Sequence, residues 1–120
     1  MGQNITIYEK PTCTTCRKVH ATLKESGIDF NAINYYVDPI SKEKIKDLLR
    51  KMGISAKELL RKKEDVYKEL ELSKKELPED KLIELMAKYP DLIERPIVER
   101  GNKAILARPA ETIVDFLKVK

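Results

Sequence analysis

The two cysteines of this 120-residue chain stand three positions apart, in Cys13-Thr14-Thr15-Cys16. Their surroundings constrain the fold more than any other feature. Before them, Ile5, Ile7 and Tyr8 form a short β-prone run that Lys10-Pro11 ends. After them the apolar positions are Val19 and Leu23, with Ala21 on the flank, which is helical spacing. Gly27 is a natural stop for that helix. The pair therefore belongs at a strand-to-helix turn. Unpaired N–H groups and the helix dipole at such a turn favour an anion, and the thiolate is the nucleophilic form of cysteine. Cys16 lies one turn into the helix and begins the inward stripe that Val19 and Leu23 continue. Cys13 is thus expected to be exposed and attacking, and Cys16 sheltered and resolving. Arg17 and Lys18 add positive charge nearby.

Several function classes fit poorly. Met1-Gly2-Gln3-Asn4 has no charged leader, and the apolar stretch after it runs only from Ile5 to Tyr8. Nothing approaches a membrane span. Met1-Gly2 with Thr6 matches the short myristoylation pattern, but no second anchoring signal lies nearby, and Ile5 and Ile7 read as a first strand. The expected location is the cytoplasm, where a cysteine pair is usually catalytic, redox-sensing or metal-binding rather than a staple. Structural zinc wants four ligands, and the chain offers two cysteines and the single His20, so no metal is expected. His20 itself reads as an ordinary boundary residue. Net charge is +4 with both signs mixed, and the basic runs Arg61-Lys62-Lys63 and Arg17-Lys18 are short. With aromatic content at 6%, that argues against direct nucleic-acid binding and leaves room for an anionic partner.

The rest of the chain completes an α/β pattern. Phe30 to Val37 reads as a second strand, with Ile33, Tyr35 and Val37 in alternation, closed by Asp38-Pro39. Ser41 opens a helix with Ile45, Leu48, Leu49 and Met52 on one face, and Gly53 ends it. Ser55 and Glu58 have capping-box spacing before Leu59-Leu60. Val66, Tyr67 and Leu70 suggest a short helix. Pro78 starts another, with Leu82, Leu85, Met86 and Tyr89 inward, and Pro90 stops it. Pro96-Ile97-Val98 and Ala104-Ile105-Leu106-Ala107 are β-like and joined through Gly101-Asn102, a tight hairpin signal. Pro109 opens a final helix carrying Ile113, Val114, Phe116 and Leu117. A CxxC pair at the turn of a βαβ unit reads as a thioredoxin-like redox motif. The expected architecture is one domain over residues 1–120: a thioredoxin-like fold with a mixed four-stranded sheet flanked by helices. A helical insertion at about residues 41–89 separates its βαβ and ββα halves.

Four stretches resemble the arsenate reductase (ArsC) family, which also contains the Spx regulators. They are Tyr8-Glu9-Lys10-Pro11-Thr12-Cys13 with Arg17; Met52-Gly53-Ile54-Ser55 through Leu59-Leu60-Arg61-Lys62; Glu94-Arg95-Pro96-Ile97-Val98; and Ala107-Arg108-Pro109. They span nearly the whole chain in the family's order. The resemblance implies that Cys13 attacks arsenate while Arg61, Arg95 and Arg108 hold the oxyanion. It also implies a cis Pro96 facing the reactive cysteine. No bound cofactor is implied; glutathione with glutaredoxin, or thioredoxin, would return the electrons to a monomeric enzyme. The residue types suit the task, since guanidinium forks hold tetrahedral anions by paired hydrogen bonds and keep their charge. Arg108 is informative by itself: it precedes Pro109 at a helix start, where a positive charge opposes the dipole. The competing reading for Arg61 and Arg108 is a solvated surface arginine.

Two positions depart from the single-cysteine reductases of that family. They have no second cysteine at the place of Cys16, whereas the Spx regulators do. They often have His where this chain has Glu9, and a carboxylate there would disfavour the thiolate. Three activities therefore stand beside one another: reduction of arsenate or a similar oxyanion, general glutaredoxin-like thiol–disulfide exchange, and Spx-like regulation through the α subunit of RNA polymerase. In any of them mild oxidation is expected to join Cys13 to Cys16, since CxxC spacing at a helix start permits that bond. Mass spectrometry after mild oxidation should show a loss of two hydrogen atoms on the peptide carrying both; two persistent free thiols would contradict the pairing.

Overall fold

The computed structural model describes residues 5–62, 64–108 and 110–118. It divides into two compact units. One consists of the residues up to Asp38 together with those from Arg95 onward; the other is Pro39–Glu94, inserted between them.

The first unit is built on a four-stranded mixed sheet. Strand β1 (Ile5–Glu9) leads into helix α1 (Thr14–Glu25), and β2 (Phe30–Asn34) follows. After the inserted unit come β3 (Ile97–Arg100), β4 (Lys103–Leu106) and the last helix, which we label α6 (Thr112–Lys118). The sheet order is β2-β1-β3-β4, with β1 parallel to β2, antiparallel to β3, and β3 antiparallel to β4. This is the expected α/β class and sheet. Ile5 and Ile7 share a buried cluster with Val19 and Leu23 of α1, Val98 of β3, and Ile113 and Phe116 of α6. Period-2 alternation on the strands and the Cys16-Val19-Leu23 stripe on α1 meet there, as their spacings require. At the β3–β4 turn Gly101 has φ +59, which a β-carbon would strain.

Strand β2 ends earlier than the alternation predicts. Asn34 ends it: its Oδ1 accepts the Tyr36 N–H at 3.0 Å, and its carbonyl accepts the N–H groups of Val37 and Asp38. An Asx turn outcompetes the ladder there. Tyr35 is buried, while Val37 is 74% exposed.

The inserted unit is helical: α2 (Lys42–Met52), α3 (Ala56–Leu59), α4 (Asp65–Glu69), a 3-10 turn at Leu72–Lys74, α5 (Glu79–Lys88) and a second 3-10 turn at Pro90–Leu92. Ser41 caps α2 by accepting the Lys44 N–H at 3.1 Å, and Gly53 ends it at φ +69. Ser55 caps α3 through the Glu58 N–H. Pro78 is the residue before α5 rather than its first member, and the buried face is Leu82, Ile83 and Met86. Tyr89 falls just past the helix end, so it does not join that face. The predicted helix start at Pro109 lies outside the described residues.

These contributions predict separable losses. Ser41→Ala should lower unfolding stability by about 1 kcal/mol, the usual worth of such a cap. Ile7→Ala, in the sheet core, should cost roughly 2–5 kcal/mol. Urea denaturation measures both.

Candidate active site

The register of the sheet assembles the site. Tyr8 of β1 pairs with Ile97 of β3 in antiparallel sense. The chain leaving β1 toward Cys13 and the chain entering β3 through Arg95-Pro96 therefore meet at one end of the sheet. The Arg95–Pro96 peptide bond is cis, as expected, and Pro96 is buried. Its carbonyl accepts the Ala107 N–H at 2.9 Å, which ties this turn to the residue just after β4.

Cys13 is the N-cap of α1. Its N–H donates to the Lys10 carbonyl at 2.9 Å, and its own carbonyl accepts the Arg17 N–H at 3.0 Å. The sulfur is half-buried, Cys16 is fully buried, and both are free thiols. Burial by itself would push the Cys13 thiol up. Hydrogen bonds from the Cys16 backbone N–H, the Cys16 thiol and the Arg95 guanidinium, with the Arg95 charge, outweigh it and hold Cys13 below the ordinary thiol value. Cys16 moves the other way. Burial, aided by its place beside Cys13, pushes its thiol up to about 12 against the opposing pull of the Lys10 N–H and the Arg95 charge. One sulfur is poised to ionise and the other to keep its proton, the asymmetry expected from their places on the helix.

After the two Cys16 hydrogen bonds, the group that lowers Cys13 is Arg95, by hydrogen bond and by charge. Arg95 is 5% exposed. Burial works against its charge, but Tyr35, Tyr36 and Cys13 more than offset that, so it is a stronger base than a free arginine. Its Nη1 donates to the Tyr36 hydroxyl at 3.1 Å, and the guanidinium carbon stands 5.9 Å from the centre of that ring. Lys10 Nζ lies 4.8 Å from the centre of the same ring. Arg108 is exposed, and its Nη1 donates to the Arg95 carbonyl at 3.0 Å. Cys13, Cys16, Arg95, Pro96 and Arg108 thus belong to one unit and are linked through Arg95.

Arg61 belongs to the inserted unit. Its Nε donates to Glu64 at 2.6 Å and its Nη1 to Glu94 at 2.8 Å, while its backbone N–H donates to the Leu92 carbonyl at 2.7 Å. Two carboxylates orient it, neither of them suggested by the basic run in which it sits.

The sequence reading missed the partner of Glu9. This buried carboxylate receives His20 Nδ1 at 3.0 and 3.2 Å, and the His20 ring meets Phe30 edge-on at 5.1 Å between centroids. Glu9 therefore pairs with an imidazole, and the Cys13 thiolate is favoured despite a carboxylate four residues before it. An acid and a histidine eleven positions apart carry no spacing signal; only the strand-to-helix packing joins them.

No cluster of three metal-binding side chains exists among the described residues, and no described helix is long and apolar enough to cross a membrane. The sheet, the cis proline and the unequal CxxC sulfurs define a thiol oxidoreductase of thioredoxin-like fold. The comparisons with known proteins are narrower. The profile of the ArsC family matches residues 8–116. The YfgD protein of Escherichia coli K12 is 39% identical over 98% of this chain and 99% of its own length. The arsenate reductase of Acidiphilium multivorum is 40% identical over 95% of this chain and 81% of its own. An arsenate reductase structure from Vibrio cholerae superposes with a TM-score of 0.90 at 35% identity, covering 96% and 98% of the two chains. The chain belongs to the ArsC family.

Arg95→Met should raise the Cys13 pKa toward that of an ordinary thiol, because it removes both a donor and a charge. The pH midpoint of iodoacetamide labelling at Cys13 moves up in the variant; an unchanged midpoint would show that the helix start alone sets the thiolate.

Proposed function

We propose that this protein reduces arsenate, or a similar tetrahedral oxyanion, with Cys13 as nucleophile and Cys16 as resolving thiol. The observation that carries this reading is a thiolate-prone sulfur hydrogen-bonded at once to a buried guanidinium and to a second thiol. The arsenate reductases among its relatives support the same substrate class.

The chemistry balances with two electrons. The Cys13 thiolate attacks the arsenic(V) centre, an oxygen leaves as water, and a sulfur–arsenic bond forms. Cys16 then gives up its proton and attacks Cys13 Sγ. The S–S bond forms, the S–As bond breaks, and the electron pair leaves with arsenic as arsenite. Burial raises Cys16 most, but part of its rise comes from the neighbouring Cys13. Esterifying Cys13 removes that negative neighbour, so Cys16 becomes easier to ionise when its attack is required. An external dithiol or thiol, either thioredoxin or glutathione with glutaredoxin, then reduces the Cys13–Cys16 disulfide. Arg95 holds the oxyanion beside the sulfur. Arg108 adds the guanidinium donors beyond the one on the Arg95 carbonyl, and Arg61 is the third binding arginine, braced by Glu64 and Glu94. The cytoplasm, where a dithiol is kept reduced, is the compartment that suits this cycle.

Arsenate turnover should be measured with each donor system separately. Arg95→Ala and Arg108→Ala should each lower it roughly a hundredfold, as loss of a preorganised charge donor does. Cys13→Ser should abolish it, and Cys16→Ser should leave turnover dependent on glutathione. Absence of turnover in the wild type with both donors would overturn the oxyanion reading and leave a general thiol–disulfide oxidoreductase.

A further inference from the structure

Three neighbouring strands bring side chains to one end of the sheet. Lys10 follows β1, Tyr35 and Tyr36 follow β2, and Arg95 stands two residues before β3. Because β2 runs parallel to β1 and β3 runs antiparallel to it, these residues share the end at which Cys13 sits. The Asx turn that stops β2 early fixes the backbone of the tyrosine pair there, through the Tyr36 N–H on Asn34 Oδ1 at 3.0 Å. Tyr35 is buried, Tyr36 is half-buried, and their rings stand 5.0 Å apart between centroids.

Both phenols engage Arg95. Tyr35 is the foremost of the groups that answer the guanidinium charge, by charge and by side-chain hydrogen bond, ahead of Tyr36 and Cys13. The Tyr36 hydroxyl accepts Arg95 Nη1 at 3.1 Å. The guanidinium carbon, 5.9 Å from the centre of the Tyr36 ring, is close to the limit of about 6 Å for a cation on an aromatic face, so the hydroxyl rather than the ring is the main hold. The ring face seats Lys10 Nζ at 4.8 Å instead. On the backbone side, the Arg95 carbonyl accepts Arg108 Nη1. An arginine side chain is long, and its planar fork serves a small acceptor such as a sulfur only when its plane is fixed. We propose that Tyr35 and Tyr36 are positioning residues of the active site: their hydroxyls fix the Arg95 guanidinium in the orientation that it presents to Cys13 Sγ. They act on the sulfur through Arg95. The inference rests on Cys13 being the nucleophile of the proposed function, but not on arsenate being its substrate, because the sulfur itself is read in the test.

Tyr35→Phe, Tyr36→Phe and the double variant keep both rings and remove only the hydroxyls. Each is labelled with iodoacetamide at Cys13 across pH, by itself and combined with Arg95→Met. With Arg95 present, each single variant should raise the labelling midpoint by roughly half a pH unit, part of what a hydrogen bond to a charged group is worth, and the double variant should raise it further. With Arg95→Met none should move the midpoint again, because the group through which they act is gone. Unchanged amide shifts in β1 and β3 verify the fold; should the double variant not fold, Tyr36→Phe, at the half-buried position, carries the test. A role in packing alone would leave the midpoint in place, and that result would overturn the proposal. So would a lowered midpoint, an Arg95→Met variant whose midpoint equals that of the wild type, or a tyrosine effect that persists beside Arg95→Met, which would place its route through another cation such as Lys10.

Discussion

The contact between the Arg95 guanidinium and Cys13 Sγ is the interaction on which the rest of this molecule's chemistry depends. A buried arginine is costly unless its charge is answered. Here the answer comes from Tyr35, Tyr36 and a sulfur that can become negative. The same contact adds to the hydrogen bonds from the Cys16 N–H and thiol that favour the ionised sulfur. Neither partner is well accommodated alone, and the two reach each other only because β1 and β3 are antiparallel neighbours with Tyr8 opposite Ile97. The fold serves the site through that register: a one-residue slip would turn the Ile5 and Ile7 side chains out of their cluster and separate the two ends.

The two sulfurs divide their labour by depth. Cys13 stands at the N-cap of α1, where the Cys16 N–H points at it. Cys16, three residues on, is enclosed with the apolar stripe of the same helix. Burial raises both thiols, but at Cys13 directed donors and a cation reverse the effect, and at Cys16 the anionic neighbour reinforces it. A dithiol arranged this way can offer one nucleophile at a time. In the proposed reduction the second thiol becomes available once the first has been consumed, which would order the steps.

Much of this was legible in the sequence, because it rests on local rules. The CxxC pair between a β-run and a helical stripe foretold Cys13 at the helix start and Cys16 enclosed with the stripe. Ser41, Ser55, Gly53 and Gly101 marked element ends through capping and φ preferences, and the structure uses them so. What stayed hidden depends on side chains meeting across distance. Nothing around Glu9 announces His20, and nothing around Arg61 announces Glu94. Arg17 and Lys18 looked like the helpful cations because they are near in sequence, yet the cation that hydrogen-bonds Cys13 is Arg95, eighty-two residues away. The early end of β2 was missed because alternation through Val37 was weighed above the turn-forming side chain of Asn34. Arg95 was singled out only through the family resemblance and Arg108 also by its place before Pro109, and the structure joins them by a hydrogen bond to a backbone carbonyl, which no spacing rule foretells.

The central claim is that the two thiols of one motif are split, with Cys13 ionising early and Cys16 late. Its most direct test is the titration of both β-carbon resonances in the reduced protein labelled with ¹³C at cysteine. The account predicts that Cys13 changes state below the ordinary thiol range, while Cys16 remains protonated until about pH 12. Two overlapping titrations in the ordinary range, or Cys16 ionising first, would contradict it.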